Sequence, residues 1–265
     1  MAKSYRMPKP IFDAHNHLRA DDRDGAMMIE SQDKFGIEST VVMGLPFDGE
    51  RVIKRVNEQV IRAQQKHPGR LIGGIYCDPR NVKKAIATAK HGYAEGLRLV
   101  KLFPNMGYFP DDDKVRAFFD KVAELKMGVL SHCGWLWPKN PLPIAAYYSH
   151  PGRFEKLLRI YPDTPFIFAH MGGIAGVLEA VMLTTRTPNA YVDGSPGQGL
   201  WALETLGAIA ASVPPEKLLY GADGEATPEF MERYRKALVK IGYGPHLDKV
   251  FYSNARGIFE KLGVL

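Results

Sequence analysis

Cysteine is nearly absent from this chain. Its two residues, Cys77 and Cys133, are too few for a disulfide framework and share no C-x-x-C spacing, which fits a reducing compartment. Long apolar runs are absent too: no stretch approaches the 18 or so residues of a membrane span. The opening segment, Met1 to Asp13, lacks the apolar core of a signal peptide, so a cytoplasmic protein is expected. Nowhere do five or six like charges run together, although Lys and Arg outnumber Asp and Glu by 35 to 29 for a net charge of +6. With acids and bases interleaved, the excess reads as that of a mildly basic metabolic protein, and neither nucleic acid nor membrane is an expected partner. A Gly-rich phosphate-binding fingerprint after an early strand is also missing, which weakens the case for an open, doubly wound nucleotide-binding sheet.

What is present is an ordinary globular mixture, 45% apolar and 24% charged, which excludes a disordered or collagen-like chain. The 265 residues suffice to bury a large core. They are long for one average domain and short for two, and α/β barrels use about 200–250 as a single unit. One domain spanning 1–265 is therefore expected.

Short runs rich in β-branched and aromatic residues recur at Ile11–His17, Ser39–Gly44, Leu71–Cys77, Leu97–Phe103, Gly128–His132, Phe166–His170, Ala190–Asp193 and Lys217–Asp223. Between them lie segments of helical spacing: Val52–Lys66, Val82–Tyr93, Val115–Lys126, Arg153–Tyr161 and Phe230–Ile241. Thr227 and Pro228 form a helix-start signature, the threonine as N-cap and the proline in the first helical position. Eight strands alternating with helices, at roughly 33 residues per unit, predict a (β/α)8 TIM barrel. The proline-rich stretch from Trp137 to Pro143 reads as a long loop after the fifth strand.

In such a barrel the chemistry sits at the C-terminal strand ends. The first strand ends in Asp13-Ala14-His15-Asn16-His17, and residues two apart on a strand share a face, so both imidazoles project together. That suits two ligands on one ion. His132 closes the fifth strand, His170 the sixth and Asp223 the eighth, while His67, His91, His150 and His246 fall in helices or turns. Strict alternation places Leu130 and Gly128 inward with His132, Phe168 and Phe166 with His170, and Gly221 and Leu219 with Asp223.

These residues carry a resemblance. His15-Asn16-His17, the later single histidines His132 and His170, and Asp223 in Tyr220-Gly221-Ala222-Asp223 look like the amidohydrolase superfamily of metal-dependent barrel enzymes. Phe168-Ala169-His170-Met171-Gly172-Gly173 and Ser253-Asn254-Ala255-Arg256 resemble its amidohydrolase-related branch, which holds hydrolases and also decarboxylases similar to aminocarboxymuconate semialdehyde decarboxylase. The resemblance implies that His15, His17, His132 and Asp223 bind one divalent ion, zinc by the character of the donor set. It also implies that Asp223 takes a proton from water and that His170 orients the water or stabilises developing charge.

Lys101 shares its predicted inward face with Leu97, Leu99 and Phe103. It could serve a substrate electrostatically, bridge a second metal as a carbamate, or pair with a carboxylate; burial would favour its neutral amine. Asp13 is placed beneath the histidines as a carboxylate partner for a ligating ring. Cys133 should point away from the site as a small packed residue. Arg19 could hold a substrate carboxylate through its planar fork or be a solvated loop residue. Trp135, Trp137, Tyr108 and Phe109 could stack on a flat substrate or close loop over loop.

The leading expectation is a metal-dependent hydrolase of a small organic molecule such as a lactone, amide or cyclic carboxylic acid. The alternative is decarboxylation of an aromatic or unsaturated carboxylate at the same metal. A third class, a binding protein on a retired enzyme fold, has no physical need of all five polar groups. A small-molecule substrate is the expected partner, and assembly into a homo-oligomer stays open.

Overall fold

The computed structural model describes residues 5–45, 50–135, 146–224 and 226–265, so the loop from Trp137 to Pro143 lies outside the described residues. Eight parallel strands follow one another in chain order: β1 Ile11–His17, β2 Ile37–Met43, β3 Leu71–Tyr76, β4 Leu99–Leu102, β5 Gly128–Ser131, β6 Phe166–Phe168, β7 Ala190–Asp193 and β8 Leu218–Leu219. The ring closes through main-chain bonds between its ends. Ala14 N–H donates to the Tyr220 carbonyl at 2.9 Å, and the N–H groups of Ala222 and Asp223 donate to the His15 carbonyl at 3.1 and 2.7 Å. The fold is a (β/α)8 TIM barrel.

The connecting helices are α1 Ala26–Phe35, α2 Glu50–Lys66, α3 Val82–Ala94, α4 Arg116–Glu124, α5 Glu155–Ile160, α6 Gly173–Arg186, α7 Gln198–Thr205, α8 Gly207–Ala210, α9 Pro228–Lys240 and α10 Asn254–Lys261. α9 begins as the sequence predicts, with Pro228 in the first turn and the Thr227 hydroxyl accepting from Phe230 N–H at 3.2 Å. In α4 the stripe Phe118, Phe119 and Val122 is buried, as its helical spacing requires.

Two apolar layers result. Inside the barrel lie Phe12, Ala14, Val41, Met43, Leu99, Leu130 and Leu219, joined from below by Phe259 of α10, whose ring stacks on Phe12 at 5.6 Å. This plug closes the N-terminal end, so the open end is the C-terminal one. The second layer fills the space between sheet and helices. There Phe154 meets Phe166 and Phe168 at ring distances of 6.0 and 5.3 Å. Leu97 precedes β4 and also belongs to this outer layer.

Strict alternation therefore fails at Leu97 and in two further places. Phe166 and Phe168 face the helices while Ile167 points inward. His170 still turns into the mouth because β6 has already ended: His170 and Met171 take left-handed conformations at φ 58° and 56°, which re-aim the chain. In β1 the register against β2 slips between Asp13 and Asn16, a bulge in which the interior role passes from Phe12 and Ala14 to His15.

Candidate metal centre

The C-terminal end of β1 delivers His15 and His17 side by side, ring centroids 5.3 Å apart. Their support comes from β8 and its following turn. Gly221 leaves room for His15, since a Cβ there would stand 2.9 Å from the His15 Cβ. The Asn16 side-chain oxygen accepts from the N–H groups of His17 at 2.8 Å and Gly224 at 2.9 Å, pinning the turn that carries Asp223. Asp13 is buried beneath, where it accepts from His15 N–H, Asn16 Nδ2 and Ala222 N–H. It braces the backbone rather than an imidazole. Burial pushes its pKa up to about 7 despite these donors.

Ligand atoms of His15, His17 and Asp223 all lie within 4.8 Å of one another. Asp223 Oδ1 is 3.1 Å from His17 Nε2 and 3.5 Å from His15 Nε2. His17 Nδ1 is 3.3 Å from the Met43 carbonyl, a pure acceptor, so that nitrogen carries the proton. Without a second proton on the ring, a bare Nε2 faces a carboxylate oxygen. Two lone-pair donors at that separation repel unless a second proton or a cation lies between them, and two imidazoles with a carboxylate are a hard-to-borderline set suited to a divalent ion. The residues fit the group.

His132 stands outside that trio. Its Nδ1 is 3.2 Å from His170 Nε2, its ring stacks on Phe103 at 5.3 Å, and its Nε2 is buried without a hydrogen-bond partner among the described residues. His170 lies 3.9 Å from Asp223 Oδ2. Lys101 is wholly buried with its Nζ 3.1 Å from His15 Nε2, and burial drives its pKa down to about 8. Burial, with Lys101 adding to it, pushes His15 down to about 4. Burial also lowers His132 and His170. Asp223 is raised by burial but more strongly lowered by the histidines around it, which hold it well below the usual carboxylate range.

The structure does not gather every sequence candidate here. Arg19 is exposed, with its guanidinium on Asp21 at 2.9 Å. Tyr108 is buried, its hydroxyl without a hydrogen-bond partner among the described residues. The Trp135 indole is exposed, while its main chain is held by Gln198. Phe109 packs on Tyr148 at 4.7 Å, loop against loop. Cys133 is buried in the outer layer.

Two residues emerge that sequence spacing does not single out. Asp193, at the end of β7, accepts from His15 Nδ1 at 3.0 Å and from the main-chain N–H of His170 at 3.0 Å. Ser195 lies 2.7 Å from His170 Nδ1 and donates its hydroxyl to Asp193. The only available signal is a carboxylate at a strand end, the same signal that marks Asp223.

A model of the amidohydrolase family matches residues 12–260. The chain belongs to the amidohydrolase family. No curated protein matches it. Solved structures do, across almost the whole barrel. A 2,6-dihydroxybenzoate decarboxylase from Rhizobium is 15% identical with a TM-score of 0.67, covering 94% of this chain and 98% of its own. A probable 2-pyrone-4,6-dicarboxylic acid hydrolase from Acinetobacter baumannii, with citric acid bound, is 17% identical with a TM-score of 0.66, covering 94% and 99%. A 5-carboxyvanillate decarboxylase from Novosphingobium aromaticivorans, with manganese bound, is 12% identical with a TM-score of 0.67, covering 94% and 97%. At these identities the likeness is one of fold. Among the described residues of this amidohydrolase-family chain, no helix is long and apolar enough to cross a membrane.

Proposed function

We propose that this protein is a metal-dependent hydrolase of a small organic substrate such as a lactone, amide or cyclic carboxylic acid. The observation that carries the reading is the meeting of His15, His17 and Asp223 within 4.8 Å at the open end of the barrel. In this reading those three side chains hold one divalent ion, zinc by the donor set, and the unpartnered Nε2 of His132 is available as a further ligand. A bound ion supplies Lewis acidity to a substrate oxygen and makes a water easier to deprotonate.

The chain's own residues do the rest. Asp223, partly open to the mouth, is ionised at neutral pH and takes the proton from the attacking water. His170, 3.9 Å from Asp223, lines the same mouth and stabilises the charge that develops there. Buried Lys101 sets a positive charge beside the trio and favours an anionic substrate group. Arg19 and Trp135 would meet a substrate only at the outer rim, whereas Tyr108 is buried in the layer between sheet and helices.

The second reading, decarboxylation, is favoured by Phe103, whose ring lies 4.9 Å from that cation and meets Tyr76 at 5.8 Å, an aromatic pair that suits a flat carboxylate. The test is to load the protein with one equivalent of zinc or manganese and assay lactones, amides and aromatic carboxylates. Ring-opened or cleaved acid without CO2 is expected. CO2 release would establish the second reading, and inertness towards every class would sink both.

A further inference from the structure

Asp193 is fully buried, and every group within hydrogen-bond reach of it is a donor. Its Oδ2 faces His15 Nδ1 at 3.0 Å. Its Oδ1 takes the N–H of His170 at 3.0 Å, the N–H of Ser195 at 3.1 Å and the Ser195 hydroxyl. An ionised carboxylate only accepts, so the proton of a neutral His15 must sit on Nδ1. Ser195 has one hydroxyl proton and commits it to Asp193. Its oxygen, 2.7 Å from His170 Nδ1, must therefore accept, which puts the His170 proton on Nδ1. The bare His170 Nε2 then accepts from His132 at 3.2 Å, which places the His132 proton on Nδ1 as well. What is left is the His132 Nε2, a buried atom with no partner among the described residues.

We propose that Asp193 is a positioning residue that sets the tautomers of His15, His170 and His132 together, so that His15 and His132 each present an unprotonated Nε2. The carboxylate reaches His15 directly and the other two rings through Ser195. The Lys101 amine 3.1 Å from His15 Nε2 fits this arrangement, since an ammonium can only donate. Asp193 touches no reacting atom. It acts by deciding which nitrogens of other residues carry lone pairs.

Asparagine discriminates sharply at this position. Three donors, two main-chain N–H groups and the Ser195 hydroxyl, would hold the amide oxygen where Oδ1 now lies. The amide nitrogen would then face His15 and donate to Nδ1, driving the ring proton to Nε2 and removing the lone pair offered to an ion.

The tautomers follow from hydrogen bonding whichever reaction the site performs, and only the zinc arm of the test rests on the proposed metal reading. Long-range proton–nitrogen correlation spectra of the metal-free protein should show Nδ1–H tautomers at all three histidines. In Asp193→Asn, His15 should switch to Nε2–H, and zinc affinity by chelator competition should fall about 10–100-fold. In Ser195→Ala, His15 should keep its tautomer while His170 and His132 lose theirs. An Nε2–H tautomer at His15 in the unmodified protein overturns the proposal, and this measurement needs no variant to fold. So does an Asp193→Asn protein whose His15 tautomer and zinc affinity are both unchanged. Correct tautomers in a protein that binds no zinc would support the role of Asp193 and refute the metal reading.

Discussion

Replacing Lys101 by methionine should stabilise the metal-free protein at neutral pH. Lys101 is 0% exposed, its Nζ meets an imidazole nitrogen at 3.1 Å and the Phe103 ring at 4.9 Å, and burial lowers its pKa from 10.5 to about 8 although Asp223 and Asp193 act the other way. A depression of that size corresponds to about 3 kcal/mol against the folded state. The sign follows from proton binding. Below about pH 8 both states hold the proton and the full cost is present. Between pH 8 and 10.5 the unfolded chain keeps a proton that the folded protein has lost, so stability rises with pH and the cost fades. Methionine fills similar volume without charge, but it leaves His15 Nε2 without its donor, which takes back about 1–2 kcal/mol. The variant should therefore gain about 1–2 kcal/mol at pH 7 and lose that advantage near pH 10.5. Urea unfolding of chelator-treated protein at pH 7 and pH 10 measures both. A variant less stable than the parent at pH 7, or a difference that is the same at both pH values, would refute the reasoning.

Further outcomes are expected at the same centre and beside it. Asp223→Asn should retain bound metal through the imidazoles but lose about 10²–10⁴ in turnover, because an amide cannot take the proton. Metal analysis and rates on one preparation check this, and near-normal turnover would remove Asp223 from its role. Stoichiometry should be one tightly held ion per chain, since His15, His17, His132 and Asp223 offer four donors without calling on Lys101. Two equivalents with carbon dioxide bound on the Lys101 amine would instead make it a bridging carbamate. Gly173→Ala should destabilise by more than about 2 kcal/mol. Its φ is 74°, and a Cβ there would lie 2.4 Å from the Gly134 Cα, which is backbone that cannot step aside. Thermal and urea unfolding will show whether that contact is as rigid as it looks.

The barrel is legible in the sequence because its signals are local. Strand runs such as Ile11–His17 and Ala190–Asp193 match their observed limits, since apolar β-branched runs between turns require nothing from the rest of the chain. Residues at strand ends are legible for the same reason, and this places His15, His17 and Asp223 at one mouth once the strands are known to be parallel. α6 is less visible: Ile174, Leu178 and Met182 are exposed while Val177, Val181 and Leu183 are buried, so apolar residues surround the helix and leave no stripe.

Tertiary structure alone decided the arrangement within the mouth. A two-residue period assumes an unbroken strand, whereas a bulge in β1 and two left-handed residues after β6 reset which side chains turn inward. The partner of His15 is Asp193, 178 residues away, and that of Lys101 is His15 itself, 86 residues back. Sequence determined which residues reach the open end of the barrel. Which proton each of them carries was left to contacts across the ring, because a hydrogen bond depends on the distance and direction between two atoms, and separation along the chain fixes neither.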